Sequence, residues 1–343
     1  MLSKWSRNEC GNTDDKKLHG KKIRVGIAYI VTVILLCGLF LAAVNTGSLK
    51  VSFPELFRGL FVAYDSNVAA IYDLRFPRII ISMLAGAAVA VSGVLFQAVL
   101  KNPLADPGII GISSGAGLAA ICMTTLAPAL YFFTPVAACI GGIFAFFIVY
   151  VLSWKGGLSP LRIILTGVAV DAFFTGFSSV VSSMSGGDRN GVASIVEGNI
   201  AQKTWEDVRT LLPYVAVGLV LALLSVRKCN LLALEDKTAR SLGVNVNRAR
   251  IGISVVAVIL ASISTAIVGA VSFLGLIVPH IGRLLVGSDH RKLIPFSALA
   301  GAVTFLFADT LGRTIARPYE VAAPVVMSVI GGPFFLVLLR RKK

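Results

Sequence analysis

The sequence predicts an all-α polytopic membrane protein of about ten transmembrane helices, and three observations carry that prediction. Of its 343 residues 56% are hydrophobic and only 14% are charged, whereas a soluble domain carries roughly a quarter charged residues. Apolar runs long enough to cross a bilayer recur at 25–44, 79–100, 109–127, 135–152, 163–182, 210–226, 251–269, 271–287, 293–308 and 322–339. The surplus of basic residues, +15 overall, falls in the connections between those runs, as loops retained in the cytoplasm require. In a soluble chain such a surplus would point to nucleic acid; here topology accounts for it.

Ten spans put both ends of the chain on one side. With the N-terminus inside, 23 of the 32 Lys and Arg lie in inner segments and nine in outer ones, so both termini are expected in the cytoplasm. Residues 1–24 read as a cytoplasmic tail and 25–343 as the membrane domain. The run at 25–44 lacks a small-residue cleavage site and is expected to stay as a helix. The two segments between Ile251 and Val286 are separated by almost nothing, so one of them is short or broken. The cysteines show no paired spacing and support neither a disulfide framework nor a zinc site.

The stretch from Arg75 to Gly117 organises the rest. Arg75 and Arg78 sit one helical turn apart around Pro77, which suits a first helical turn. About twenty uncharged residues follow, with Gly86, Ala87, Ala88, Ala90, Ser92 and Gly93 small enough to admit a neighbouring helix. The run breaks at Lys101-Asn102-Pro103-Leu104-Ala105-Asp106-Pro107-Gly108 and re-enters an apolar segment containing Ser113 and Ser114. Irregular backbone at membrane depth survives only where protein buries it or a wet cavity meets it. The outer arginines, with Arg313 closing the run DTLGR, are either interface anchors or guanidinium forks for carboxylates on an external partner.

The longest inner loop, 227–250, mixes charge with Leu231, Leu232, Leu234, Ala239, Leu242 and Val244, which suits one or two short amphipathic helices ending at Gly243. It packs on the chain's own spans or docks a cytoplasmic partner. Asp171 is the only carboxylate near the middle of a predicted span, and an intramembrane acid marks a functional site by default. Alone, it is thin support for a proton relay. Ser178, Ser179, Ser182 and Ser183 line a path or bond across helices. His280, beside Pro279, reads as a structural histidine. The phosphate-cradling pattern G-x-x-x-x-G-K-[ST] is absent, as is any paired-carboxylate or metal-ligand constellation, so the chain is not expected to be an enzyme.

Several blocks resemble one family, the FecCD-type permeases, the membrane part of ABC importers for ferric siderophores, haem and cobalamin. They are Arg75-Phe-Pro-Arg78, LAGAAVAVSGVLFQAVLKNPLADPGIIGISSGAG (84–117), ALEDKTARSLGV (233–244), VSFLGLIVPHIGRLLVGSDHRKLIPFSALAGA (271–302), FADTLGR (307–313) and VIGGPFFLVLLRR (329–341). The resemblance covers most of the chain from Arg75 onward, in the family's order, and leaves residues 1–24 outside. It implies a ten-helix, type II ABC importer permease fold like that of the cobalamin importer. It also implies a second permease subunit, identical or related, two cytoplasmic ATPase subunits that hold ATP and Mg, and an extracytoplasmic binding protein. The chain itself would bind no cofactor or metal and would sit in a bacterial cytoplasmic membrane.

By the same resemblance, Arg75, Arg78 and Arg313 match arginines that meet glutamates on the binding protein. Leu234, Glu235, Ala239, Arg240, Leu242 and Gly243 match the coupling helices that fit the ATPase. Candidates for the translocation path are Gly86, Ser92, Gln97, Asn102, Pro103, Ser113, Ser114 and Asp171. The expected cargo is a ferric siderophore, with haem or cobalamin as alternatives. An ion-coupled secondary transporter would need more intramembrane charge than Asp171 offers, and a channel would need a selectivity element. On this reading, Arg75→Glu with Arg78→Glu cripples uptake and spares membrane insertion.

Overall fold

The computed structural model describes residues 5–46, 51–52, 54–55, 58–59, 65–153, 160–184, 198–316 and 318–340. The charge count drew also on Lys4, Lys50, Lys155, Arg189, Arg317, Arg341, Lys342 and Lys343, which lie outside them. The described residues form α1 (Trp5–Asn45), α2 (Ser66–Leu74), α3 (Phe76–Leu100), α4 (Ile112–Leu126), α5 (Thr134–Ser153), α6 (Pro160–Met184) and α7 (Trp205–Leu224). Two short helices follow, α8 (Val226–Leu232) and α9 (Asp236–Ser241), and then α10 (Val246–Val268), α11 (Leu274–Val286), α12 (His290–Ile315) and α13 (Ala323–Arg340).

Among the described residues seven apolar stretches are long enough to cross a membrane, and three shorter apolar helices, α4, α11 and α13, complete the ten that the sequence predicts. Their ends differ from the hydropathy boundaries where polar chemistry extends a helix. Asn245 starts α10 five residues before its apolar run, its side chain accepting from the Arg248 N–H at 3.1 Å. Asp65 caps the unpredicted α2 by accepting from Asn67 N–H at 2.8 Å and Val68 N–H at 3.1 Å. The break expected between Ile251 and Val286 falls at Gly269–Phe273, so α11, at 13 residues, is the short member.

Helices α3, α10, α11 and α12 make the core. The most apolar stretch of Ser66–Leu100 is 83% buried and that of α10 is 72% buried, against 17–28% for α1, α5, α6 and α7. The difference follows from side-chain size. Lipid is as apolar as leucine, so helices in a bilayer associate where small residues let backbones approach. Gly86 of α3 meets Gly301 of α12, and Gly93 of α3 meets Gly275 of α11, so tightly that a Cβ on Gly86 or Gly93 would overlap its partner's backbone carbonyl. Between the two crossings, the Ser92 hydroxyl donates to the Ala257 carbonyl of α10 at 2.7 Å. The peripheral helices present large apolar side chains outward, among them Ile34, Phe147, Phe173 and Leu224.

Candidate functional site

Two polar clusters sit at opposite ends of the α3–α12 pair. At the first, the arginine end, Arg78 lays its fork on Asp309: Nε donates to Oδ1 at 2.9 Å and Nη2 to Oδ1 at 2.8 Å. Its Nη1 donates to Glu320, on the turn before α13, at 2.7 Å. Arg313 Nε lies 3.3 Å from the other oxygen of Asp309. Arg75 Nη1 donates to the Val44 carbonyl at 2.6 Å and Arg313 Nη1 to the Ala43 carbonyl at 3.4 Å. Those carbonyls lie in the last turn of α1, where the Ala43 carbonyl also accepts the Thr46 N–H at 3.3 Å, and a cation suits a helix C-terminus. The three arginines thus tie together α1, α3, α12 and the turn before α13.

This placement changes one reading. Arg78 and Arg313 are each 7% exposed and Asp309 is fully buried, so the two guanidiniums are turned inward and are not free forks. Asp309 lies near the end of α12, one residue past the predicted boundary at 308, and pairs there with Arg78 and Arg313, whereas Asp171 sits near the middle of α6. The signal was present as Asp309 and Arg313 at i, i+4 in FADTLGR. Beside the cluster, a cleft of about 550 Å³ is lined by Arg78, Asn199, Glu320 and Ser328, among others.

At the loop end, α8 and α9 form the two short helices predicted in 227–250. Gly243 takes a left-handed φ of +81°, and its N–H and that of Val244 return to Arg240 and Ala239 carbonyls, which ends α9 as only glycine does cheaply. Of the six candidate coupling residues Ala239 is buried, whereas Leu234 is 40% and Leu242 60% exposed; Glu235, Arg240 and Gly243 are exposed as well. The expectation that the apolar face packs on the chain holds for Leu232 and Ala239. Leu234 and Leu242 face away from it.

The break after α3 lies at this same end. Lys101 adopts a left-handed φ of +50°, and Ala105, Asp106 and Pro107 are buried. Gln97 Nε2 donates to the Ala105 carbonyl at 3.2 Å and the Gly275 carbonyl at 3.0 Å. Asp106 Oδ1 accepts from Gly108 N–H at 2.8 Å, and Oδ2, which makes no hydrogen bond, lies against Gly275 in the first turn of α11, whose own N-cap Phe273 offers no side-chain acceptor. A carboxyl from another segment therefore stands at the N-terminus of α11, where the helix dipole favours negative charge. Sequence reading, which treated this loop only as a break, missed that role.

Burial pushes the Asp106 carboxyl up to about 6, against the N–H groups of Gly108, Ile109 and Gly275, which pull it down. A carboxyl whose folded pKa is raised contributes stability that is full below its unfolded value and is lost as pH rises through the folded one. Between about pH 4 and about pH 6, the window between the unfolded and folded values, the unfolding temperature should therefore fall with rising pH relative to that of Asp106→Asn. Parallel curves would remove Asp106 as the cause.

The path candidates are not brought together into one channel. Gly86, Ser92 and Gln97 are buried between core helices. Asn102 turns its side chain onto Leu104 N–H at 3.0 Å, Pro103 is exposed, and Ser113 is buried. Ser114 donates to the Gly111 carbonyl at 3.0 Å and also meets the half-buried Asp171 of α6. Ser178, Ser179 and Ser183 bond neither across helices nor to a path: each hydroxyl donates to the carbonyl four residues earlier in α6. His280 stacks edge-on against Phe334, ring centroids 6.1 Å apart. Among the described residues no group of three or more His, Cys, Asp or Glu side chains is placed to hold a metal.

An amphipathic loop at one end and a small-residue core are parts the motif blocks led one to expect, while the buried ion cluster at the other end is not. Residues 33–341 match the family model described as the FecCD transport family. The chain belongs to that family. FecCD proteins are membrane permease subunits of ABC importers, so the multi-pass character and the all-helical type II permease fold follow directly.

Among its relatives, this FecCD chain is 42% identical over 308 residues, 90% of its own length and 93% of theirs, to proteins described as "Probable heme-iron transport system permease protein IsdF" from Staphylococcus aureus strains bovine RF122 / ET3-1 and Newman. Its fold is similar to a solved structure assigned to the metal-chelate type of ABC transporter in an inward-facing conformation. That match has a TM-score of 0.77 and 25% identity and covers 92% of this chain and 99% of the other. A second likeness, to PsaBC from Streptococcus pneumoniae in complex with Fab, has a TM-score of 0.57 at 19% identity, covers 83% of this chain and 95% of the other, and speaks to the fold alone.

Proposed function

We propose that this FecCD chain is the permease subunit of an importer for an iron chelate, with haem iron as cargo in place of the ferric siderophore expected from the motifs. The observation that carries the cargo is the 42% identity over nearly the whole length with relatives described as heme-iron permeases. The chain works with a second permease subunit, identical or related, two cytoplasmic ATPase subunits that bind ATP and Mg, and an extracytoplasmic binding protein. The arginine end faces outward and the loop end and both termini face the cytoplasm, in keeping with the distribution of basic residues.

The mechanism this supports is alternating access. A receptor delivers cargo at the arginine end, where Arg75, Arg78 and Arg313 supply a positive field under a rim that includes the exposed Leu74 and Tyr319. Acidic receptor side chains would be steered to it. ATP binding in the partner moves α8–α9, and packed core helices shift between two arrangements, because interiors rearrange between discrete states and do not deform smoothly. Ligands move such an equilibrium only through a difference in affinity between states, so selectivity resides mainly in the receptor.

Reconstitution of the chain with its cognate ATPase and receptor in proteoliposomes tests the reading. ATP-dependent accumulation of haem, outcompeting a ferric siderophore, is the expected result. Preference for the siderophore would return the cargo to that class, and uptake that follows a proton gradient without ATP would end the importer reading. Leu242→Asp places a charge on the exposed apolar face of the loop, where a buried unpaired charge at an interface costs several kcal/mol. It should cut ATPase recruitment about tenfold or more while leaving the permease folded; pull-down of the ATPase by the variant measures this.

A further inference from the structure

We infer that Asn230 and Asp236 are positioning residues that fix the α8–α9 unit to the loop-end termini of the three long core helices, so that the unit and those helices move together. The inference rests on the reading of α8–α9 as the ATPase-facing element, and it assigns to two further residues a task that exposed Leu234 and Leu242 do not perform.

Asp236 opens α9, and one of its oxygens meets two cations from different helices. Lys101, the residue that ends α3, donates Nζ to Asp236 Oδ1 at 2.8 Å, and Arg250, in the first turns of α10, donates Nη2 to the same oxygen at 3.0 Å. Lys101 Nζ also reaches the Leu234 carbonyl, so the α8–α9 link is held by backbone as well as side chain. The hydrogen bond from Lys101 holds the Asp236 carboxyl below the usual carboxylate range, aided by the charges of Arg250 and Arg240.

Asn230, on α8, does the same for α12 by different chemistry. Its Nδ2 donates to Asp289 Oδ1 at 2.8 Å, and its Oδ1 accepts the His290 N–H at 3.0 Å. Asp289 is the N-cap of α12, so one amide bonds both the cap and the first residue of that helix. The His290 ring reaches the same oxygen through Nδ1 at 2.7 Å. Since that oxygen is an acceptor, Nδ1 carries the hydrogen and the ring sits with a fixed face toward α8.

The destinations are what give these contacts meaning. α3, α10 and α12 are the most buried of the long helices, and α3 and α12 are locked at Gly86 and Gly301. A displacement of α8–α9 therefore reaches the core through three separate links. Asp236 and Lys101 are about a third exposed, and solvent-screened pairs add little to stability. Cutting the links should thus loosen the geometry without unfolding the chain, which keeps the test clean.

The test measures cargo moved per ATP hydrolysed in proteoliposomes containing permease, ATPase and receptor. Asn230→Ala with Asp236→Ala should retain the ATPase and its hydrolysis, while transport per ATP falls about tenfold. Each single change should give a smaller loss. Asn230→Asp with Asp289→Asn restores a donor facing an acceptor and should recover most of the ratio, whereas Asn230→Asp alone sets two carboxylates face to face and should not. Lys237→Ala, an exposed change on the same helix, is the control. An unchanged ratio in the double variant would overturn the inference, and so would loss of the bound ATPase, since the two residues would then be docking contacts. If the native chain itself recruits no ATPase, the importer reading fails first, and that outcome is separately visible.

Discussion

Asp309→Ala should cost this chain several kcal/mol of stability. It strips the counter-charge from Arg78 and Arg313, both 7% exposed, and leaves two guanidiniums buried side by side. Removing one partner of a buried ion pair costs about 3–5 kcal/mol because the charge left behind has no water to return to. Against a whole-protein stability of about 5–15 kcal/mol, that is enough to lose the folded population at working temperature. Monodispersity and thermal unfolding of the detergent-solubilised variant read the effect directly. Glu320→Gln is the contrast: Glu320 bonds the same Arg78 at 2.7 Å but its side chain is 42% exposed, so about 1 kcal/mol or less is expected. If the two variants melt alike, the cluster is not what holds this end together.

The same geometry revises an experiment that the sequence makes attractive. Arg75→Glu with Arg78→Glu reads, from motifs alone, as a docking mutant that spares insertion. With the fork of Arg78 on Asp309, a glutamate at 78 faces an existing carboxylate, and the double variant should be unstable before docking is ever tested. Arg75→Glu alone avoids the buried pair, although it gives up the bond to the end of α1.

The second large effect is expected at Gly93. An alanine there pushes a methyl into the carbonyl of Gly275, and backbone offers no rotamer by which to yield. Overpacking of this kind costs about 1–3 kcal/mol, sometimes more. Here the cost also includes separating α3 from α11 and disturbing the Gln97 bond to the same carbonyl. Gly93→Ala should lower the unfolding temperature by several degrees and remove most transport, and Gly93→Val should prevent folding. Gly252→Ala, at an exposed position with nothing within reach of the added methyl, should be neutral or stabilising by about 0.5–1 kcal/mol through helix propensity. Equal behaviour of Gly93→Ala and Gly252→Ala would refute the close crossing as a constraint.

Much of the architecture was legible in the chain because the bilayer makes it so. Lipid satisfies no backbone group, so each long apolar run has one available structure, and ten runs gave ten helices within a few residues at most ends. The exceptions share a cause. The α12 boundary was drawn short because Asp309 and Arg313 look like a polar exit when read one residue at a time, yet paired they stay inside. α10 begins early because Asn245 caps it, and capping is a local geometry that hydropathy averages away.

The site divides along the same line. The 227–250 loop, with its two short helices and its stop at Gly243, is a local pattern of apolar and charged residues, and it was readable. The small residues of α3 announced close packing, and only the assembled helices showed that Gly86, Ser92 and Gln97 are spent on that packing. Which arginines are buried, which carboxylates answer them, and that Asp106 stands at the N-terminus of a helix more than 160 positions away in sequence depend on contacts between segments far apart in the chain.

Taken by itself, then, the sequence determined the membrane class, the number of spans, the family and the place of the amphipathic inner loop, because each rests on composition or on spacing within one segment. The tertiary structure alone decided the charge pairing at Arg78–Asp309–Arg313 and the links from Asp236 and Asn230 to the core, along with the identity of the core helices. The Arg75–Gly117 stretch holds both kinds of information. Its order of basic entrance, small-residue helix and broken turn is written locally, but the value of each residue is set by the helix that comes to lie against it.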